Sequence, residues 1–231
     1  MKKLLIIKTG SSDPHVINKC GDCDVRIAQC VGIAYKDVDV ISVYENAVPI
    51  LPDDIAGIII TGSPSMVTDL EPWGVVTAQW LKQVVNKNIP VLGICFGHQL
   101  LAHTFGGSVD YHKLGEEKGE VEIRLTEEGK KDPLLGILPE HFTSYASHFQ
   151  TVTKLPPNAV ILAQNDFEAS HALRYKENVW GVQFHPECVG DVFCDTVEHQ
   201  AYGMALLKRF YELAIINAEK TITNKYETTV L

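Results

Sequence analysis

The apolar positions of this chain fall into two kinds of run. Leu4–Ile7, Val38–Tyr44, Ile55–Ile60, Val91–Ile94 and the start of Val179–Glu187 are short and rich in branched residues, the pattern of buried strands. Between them the spacing turns helical. Asp22 caps a helix to about Tyr35, with Val25, Ile27, Cys30, Val31 and Ile33 at apolar positions. Residues 72–88 form a second, opened by Pro72, with Trp73, Val76, Trp80 and Val84 inward. Leu100, Leu101 and Phe105 share one face of a third, which Gly106-Gly107 stops. A last helix spans Thr196–Ala218 with Met204, Leu207, Phe210, Leu213 and Ile216 partly on one face. Thr9–Gly21, rich in Gly, Ser, Asp and Pro, reads as a loop. Strands alternating with helices predict an α/β fold, a doubly wound, largely parallel sheet with its site at the strand carboxyl ends.

From Ser108 to Arg124 the pattern changes to short strands around HKLGEEKGE, whose charges read as a solvated face. Glu127–Leu138 is a turn-rich connection, Pro156-Pro157-Asn158 a turn, and Val160–Gln164 and His171–Tyr175 two further strands. With no internal repeat or linker, one domain over 1–218 is expected, followed by a polar, frayed tail at 219–231.

Composition narrows the function classes. Hydrophobic content of 45% with 21% charged residues is ordinary for a globular domain. A net charge of −9 argues against nucleic acid or an anionic membrane as partner. The apolar core of MKKLLIIKTG is too short for a secretory signal, and no run reaches membrane-spanning length, so a cytoplasmic protein is expected. The six cysteines (Cys20, Cys23, Cys30, Cys95, Cys188, Cys194) do not form a disulfide framework. Cys20-Gly-Asp-Cys23 is formally C-x-x-C, but without a second pair it reads as a loop entering a helix rather than a metal or redox site.

Two segments carry candidate chemistry. In PVLGICFGHQLLAHTFG, residues 90–106, a strand turns sharply into a helix with Cys95 at the turn, the nucleophile-elbow pattern written G-x-C-x-G. The helix N-terminus brings unpaired N–H groups and partial positive charge toward the sulfur. By itself such a cysteine can equally be a small buried hydrophobe. In the second half Val179–Glu187, VWGVQFHPE, is a strand ending at His185-Pro186-Glu187. His185 is a base for a cysteine, and Glu187 can orient the ring and stabilise its charge. Thr61-Gly62, Cys95 and His185 all fall at strand ends.

GICFGHQLLAHTFGG together with GVQFHPE resembles the class I, triad-type glutamine amidotransferases, most closely the amidotransferase part of GMP synthetase and its stand-alone relatives. The resemblance spans about residues 2–215 and implies a flavodoxin-like fold with a small antiparallel extension. It implies Cys95 as nucleophile, His185 as general base and acid, and Glu187 as the residue orienting His185. The oxyanion hole would use the N–H of Phe96 and, in place of the family's Gly-Gly-Pro loop, Gly62 of Thr61-Gly62-Ser63-Pro64, where Ser63 is a departure. Gln99, Ser147, His148 and Phe149 would bind substrate, although Phe149-Gln150 replaces the Gly-Asp common in relatives. His148 lacks a carboxylate nearby in sequence, unlike His185. The resemblance implies hydrolysis of the glutamine γ-carboxamide through a thioester, with neither metal nor organic cofactor. The ammonia would pass to a separate synthetase subunit, since no phosphate loop follows residue 195. The alternatives are a γ-glutamyl peptidase and a non-catalytic regulatory subunit.

Overall fold

The computed structural model describes the backbone of residues 2–188 and 197–229, and the side chains of residues 2–188 and 200–220. Cys194 and the helix start at Thr196 lie outside the described residues. Five strands make the parallel half of a nine-stranded sheet: β1 (Lys3–Lys8), β2 (Val38–Ser42), β3 (Ile55–Ile60), β4 (Val91–Ile94) and β11 (Val179–Val182). Four continue it antiparallel: β6 (Glu117–Leu125), β7 (His141–His148), β9 (Val160–Gln164) and β10 (Ala172–Lys176). The order is β2-β1-β3-β4-β11-β10-β9-β6-β7, and β5 (Ser108–Tyr111) pairs separately with β8 (Gln150–Lys154). The antiparallel extension is therefore larger than the sequence suggests and belongs to the main sheet.

Alternation along β1 explains why helices cover both faces. Leu4 and Ile6 point into one core with Ile59, Leu92, Trp180 and Phe210, while Leu5 and Ile7 enter another with Ile58, Ile60, Leu81 and Leu101. Helices α2 (Cys23–Val31) and α6 (Val197–Thr229) supply the first layer; α3 (Pro72–Val84) and α4 (Phe96–Thr104) supply the second. Short α1 (Pro14–Cys20) and α5 (Glu127–Lys131) complete the set. Among the described residues, no helix is long and apolar enough to cross a membrane.

Four expectations change. The Thr9–Gly21 loop contains α1, whose cap is readable afterwards: Asp13 accepts the His15 N–H, and Pro14 occupies the first turn. Helix α2 stops at Gly32, in the left-handed region at φ 83°, instead of reaching Tyr35. In α3 Val76 is 43% exposed; the inward face is Trp73, Thr77, Ala78, Leu81 and Val84. In α6 the buried stripe is Leu206, Leu207, Phe210, Ala214 and Ala218, with Ile216 exposed, and the helical backbone continues past 218 to Thr229 where a frayed tail was expected.

Candidate active site

Strand β4 ends in a backbone turn that few sequences can make. Cys95 sits at φ 50°, ψ −102°, outside the regions a side chain ordinarily allows, and Phe96 begins α4 immediately after it. Two glycines permit the turn. A Cβ on Gly93 would lie 2.5 Å from the Gly97 carbonyl carbon, and one on Gly97 would lie 2.5 Å from the Ile60 carbonyl oxygen. The elbow is pinned by Cys95 N–H to the Val182 carbonyl (2.8 Å) and Gly97 N–H to the Thr61 carbonyl (3.2 Å). It is thus tied to the ends of β11 and β3. As the first residue of α4, Phe96 presents an N–H that has no carbonyl partner within the helix.

His185 follows β11, its own N–H held by the Tyr145 carbonyl at 2.8 Å. Its Nδ1 donates to Glu187 Oε1 at 2.9 Å, and Cys95 is near enough to act on the charge of the ring. Burial by itself would push the imidazole down. The charges of Glu187 and Cys95 overcome this and raise His185 well above its ordinary value. For Glu187 burial acts upward, while His185 and then Arg26 hold the carboxyl below its ordinary value. Cys95 Sγ lies 3.7 Å from the Ser147 carbonyl. Gly62 abuts both reacting groups: a Cβ there would fall 2.9 Å from His185 Cε1 and 3.5 Å from Cys95 Cβ. The Thr9 and Thr61 hydroxyls both donate to the Gly62 carbonyl at 3.0 Å, fixing that turn.

Every residue singled out in the sequence meets at one cleft of ≈ 560 Å³, lined by Cys95, Phe96, His185 and Glu187, by Gly62, and by Gln99 and the 147–149 segment. Phe149 is exposed at its mouth, whereas His148 is buried. Two points revise the sequence reading. His148 does have a carboxylate partner, because Glu117 of β6 faces it across the sheet at 2.9 Å. Glu117 is therefore buried, not part of a solvated face. Gln99 is not free to move: its Nε2 donates to the Gln150 carbonyl (2.7 Å) and to Gln183 Oε1 (2.9 Å). Glu117, Gln183 and Arg26 were assigned no role in the sequence, and Gln150 was noted there only within the Phe149-Gln150 departure. Only Gln183, next to Phe184-His185 in the second motif, carried a local signal.

Among the described residues two groups of side chains could hold a metal: His185, Glu187 and Cys188, and Asp22, Cys23 and Asp24. The second already surrounds the Lys8 ammonium, at 2.7 Å from Asp22 and 3.0 Å from Asp24. In the first, the Arg26 guanidinium supplies positive charge to Glu187 and Cys188. Ion pairing accounts for both. Among the described residues, Cys20, Cys23, Cys30, Cys95 and Cys188 take part in no disulfide.

A thiol at an elbow and an imidazole whose Nδ1 is held by a carboxylate line one cleft of a doubly wound α/β sheet. The family model for "Glutamine amidotransferase class-I" matches residues 20–201, and the chain belongs to that family of enzymes. It is 33% identical over 214 residues to a glutamine-hydrolyzing GMP synthase subunit of Methanococcoides burtonii, covering 92% of this chain and 98% of that one. The Archaeoglobus fulgidus protein of the same name is 35% identical over 171 residues, 73% of this chain and 82% of its own. Among solved structures, that of a protein described as a GMP synthase subunit, from Thermoplasma acidophilum, superposes with a TM-score of 0.72 at 21% identity. That alignment covers 96% of this chain and 98% of the other.

Proposed function

We propose that this chain hydrolyses the γ-carboxamide of glutamine with Cys95, His185 and Glu187 and delivers the ammonia to a separate synthetase subunit. The Cys95–His185–Glu187 arrangement at the elbow carries this reading. Cys95 gives its thiol proton to His185, and the sulfur attacks the carboxamide carbon, forming a C–S bond and moving the carbonyl electrons onto oxygen. The Phe96 N–H and the amide at Gly62 receive that oxyanion. His185 gives its proton to the leaving nitrogen, the C–N bond breaks, and ammonia departs from a γ-glutamyl thioester. Neutral His185 then takes a proton from water, hydroxide attacks the thioester, and the C–S bond breaks to release glutamate. Glu187 keeps the imidazole oriented and stabilises its charged form throughout. Gln99, Ser147, His148 and Phe149 form the wall against which the amino-acid end of the substrate rests. The names of the archaeal relatives support glutamine as substrate and a synthetase as the partner.

A second reading is favoured by the size of the cleft. At ≈ 560 Å³ it falls within the range of about 300–1,000 Å³ that accommodates drug-sized ligands, more than a carboxamide needs. A γ-glutamyl peptide would use the same thioester chemistry with an amine in place of ammonia. Rates measured side by side on glutamine and γ-glutamyl peptides separate the two.

The test of the nucleophile is brief treatment with a glutamine-like electrophile followed by mass mapping. Burial pushes the thiols of Cys23 and Cys30 up to about 12 and that of Cys188 up as well. Cys95 should therefore be labelled ahead of these three, and Cys95→Ala should abolish turnover with the fold intact. Labelling led by Cys20 or Cys23, or comparable turnover by Cys95→Ala, defeats the assignment.

A further inference from the structure

The buried Glu117 carboxylate lies outside the proposed reaction steps yet has an unusual number of partners for a core group. It is 7% exposed and lies opposite His148 in the β6–β7 register. One oxygen stands 2.9 Å from His148 Nε2 and 3.2 Å from His171 Nε2; the other accepts from Asn165 Nδ2 at 2.8 Å. On the far side of the His148 ring, Nδ1 is 3.0 Å from the Gln150 carbonyl, which can only accept. That carbonyl is shared, since Gln99 Nε2 donates to it and gives its second hydrogen to Gln183 Oε1. With both amide hydrogens committed, Gln99 retains only its Oε1 for a ligand. Both Gln99 and His148 line the cleft.

We propose that Glu117 is a positioning residue for the γ-glutamyl substrate. It orients His148, His148 holds the Gln150 main-chain carbonyl, and that carbonyl fixes the Gln99 carboxamide in the cleft wall. The relay rests on the function proposed above. Its chemistry is that of hydrogen-bond direction: without a partner at Nε2 the His148 ring can turn, and the Gln150 carbonyl loses one of its two donors. The reacting groups Cys95, His185 and Glu187 make no contact with Glu117 in this scheme, so the loss falls on binding rather than on bond breaking.

The experiment compares Glu117→Ala and Glu117→Gln in the full chain with glutamine. Glu117→Ala should raise KM about tenfold with kcat within about threefold of the parent, the scale of one lost neutral hydrogen bond. Glu117→Gln should recover most of that loss, because its amide can donate to His148 Nε2 while Nδ1–H stays on the Gln150 carbonyl. Alkylation of Cys95 by iodoacetamide, a small reagent that ignores the amino-acid end, should be unchanged in both. An unchanged KM in Glu117→Ala, a loss confined to kcat, or equal damage in the two variants overturns the relay. Should Glu117→Ala not fold, the next link answers the question. His148→Asn places an amide nitrogen where Nδ1 stood and should recover much of the affinity that His148→Leu loses, the latter raising KM about tenfold; equal KM values overturn the proposal. A parent chain that hydrolyses no γ-glutamyl compound defeats the functional reading and the relay with it. A parent that turns over glutamine while Glu117→Ala keeps its KM defeats the relay alone.

Discussion

Burial alone would drive His185 toward its neutral form, and only the neighbouring charges of Glu187 and Cys95 hold it well above its ordinary value. The opposite balance applies to Glu187, which His185 and Arg26 keep ionised against burial. The signs fix where the pair stabilises the fold. A raised histidine contributes fully below its unfolded value of about 6.5, and that contribution is lost as pH rises through the folded value. A depressed glutamate contributes above about 4.3 and loses it as pH falls through its folded value. Both contributions are present together from about pH 4.3 to 6.5, so the Tm gap between the parent and Glu187→Gln should be widest there. The same substitution should move the NMR titration of His185 to lower pH, because burial then acts with less opposition. An unmoved titration would separate Glu187 from the imidazolium. In turnover, Glu187→Gln should cost less than His185→Ala, and the double variant should lose far less than the product of the single losses. Fully additive losses would contradict a unit of three residues.

At the scale of elements, the elbow depends on close approach rather than on flexibility. The Ile60 carbonyl of β3 passes so near the first turn of α4 that no side chain fits at residue 97. Gly97→Ala should cost about 1–3 kcal/mol as an overpacked site, or roughly 2–12 °C of Tm, and should displace Cys95 enough to depress activity further. A melting curve and turnover both equal to the parent's would mean that the β3–α4 approach relaxes freely. This is also where sequence reading succeeds and where it fails. Strands β1, β3, β4 and β11 were legible because each is a continuous apolar run, and the elbow because glycines flank a cysteine at a strand end. Helix α1 was hidden by its polar surface: among its seven residues none is buried, so no periodic apolar face marks it. Glu117 was hidden for a different reason. Its partners His148, Asn165 and His171 lie on other elements, and a single glutamate in GEEKGE carries no local sign that one of its neighbours faces inward. The hydrogen bonds that tie Gln99 to Gln150 and to Gln183 behind the cleft are likewise pairings 51 and 84 residues apart, which periodicity cannot reveal.

For the molecule as a whole, the cleft is assembled within one chain. The ends of β3, β4 and β11 bring Gly62, Cys95 and His185 together, and the ends of β6 and β7 add the wall opposite them. The segment after β1 closes another side: Gly10 packs so tightly on the 62–64 turn that a Cβ there would lie 2.6 Å from Pro64 Cδ. Lys8 and Asp22 anchor this segment, since Asp22 pairs with the Lys8 ammonium and accepts from Ser11 and Ser12. Because Gly62, Cys95 and His185 line one cleft of this chain, the reaction proposed above would need no second subunit to bring them together. The purified chain should therefore release glutamate and ammonia from glutamine on its own, at turnover below the usual range of about 1–10³ s⁻¹, and Cys95→Ala should remove it. Addition of a synthetase partner should raise kcat more than it lowers KM, because docking at the mouth would restrain the cleft around a site already formed. Complete inertness toward glutamine and γ-glutamyl peptides until a synthetase is present would place an essential element of the site in the partner. Brisk hydrolysis of γ-glutamyl peptides with negligible turnover of glutamine would instead identify a self-sufficient peptidase, with the spare volume of the cleft taking the leaving amine.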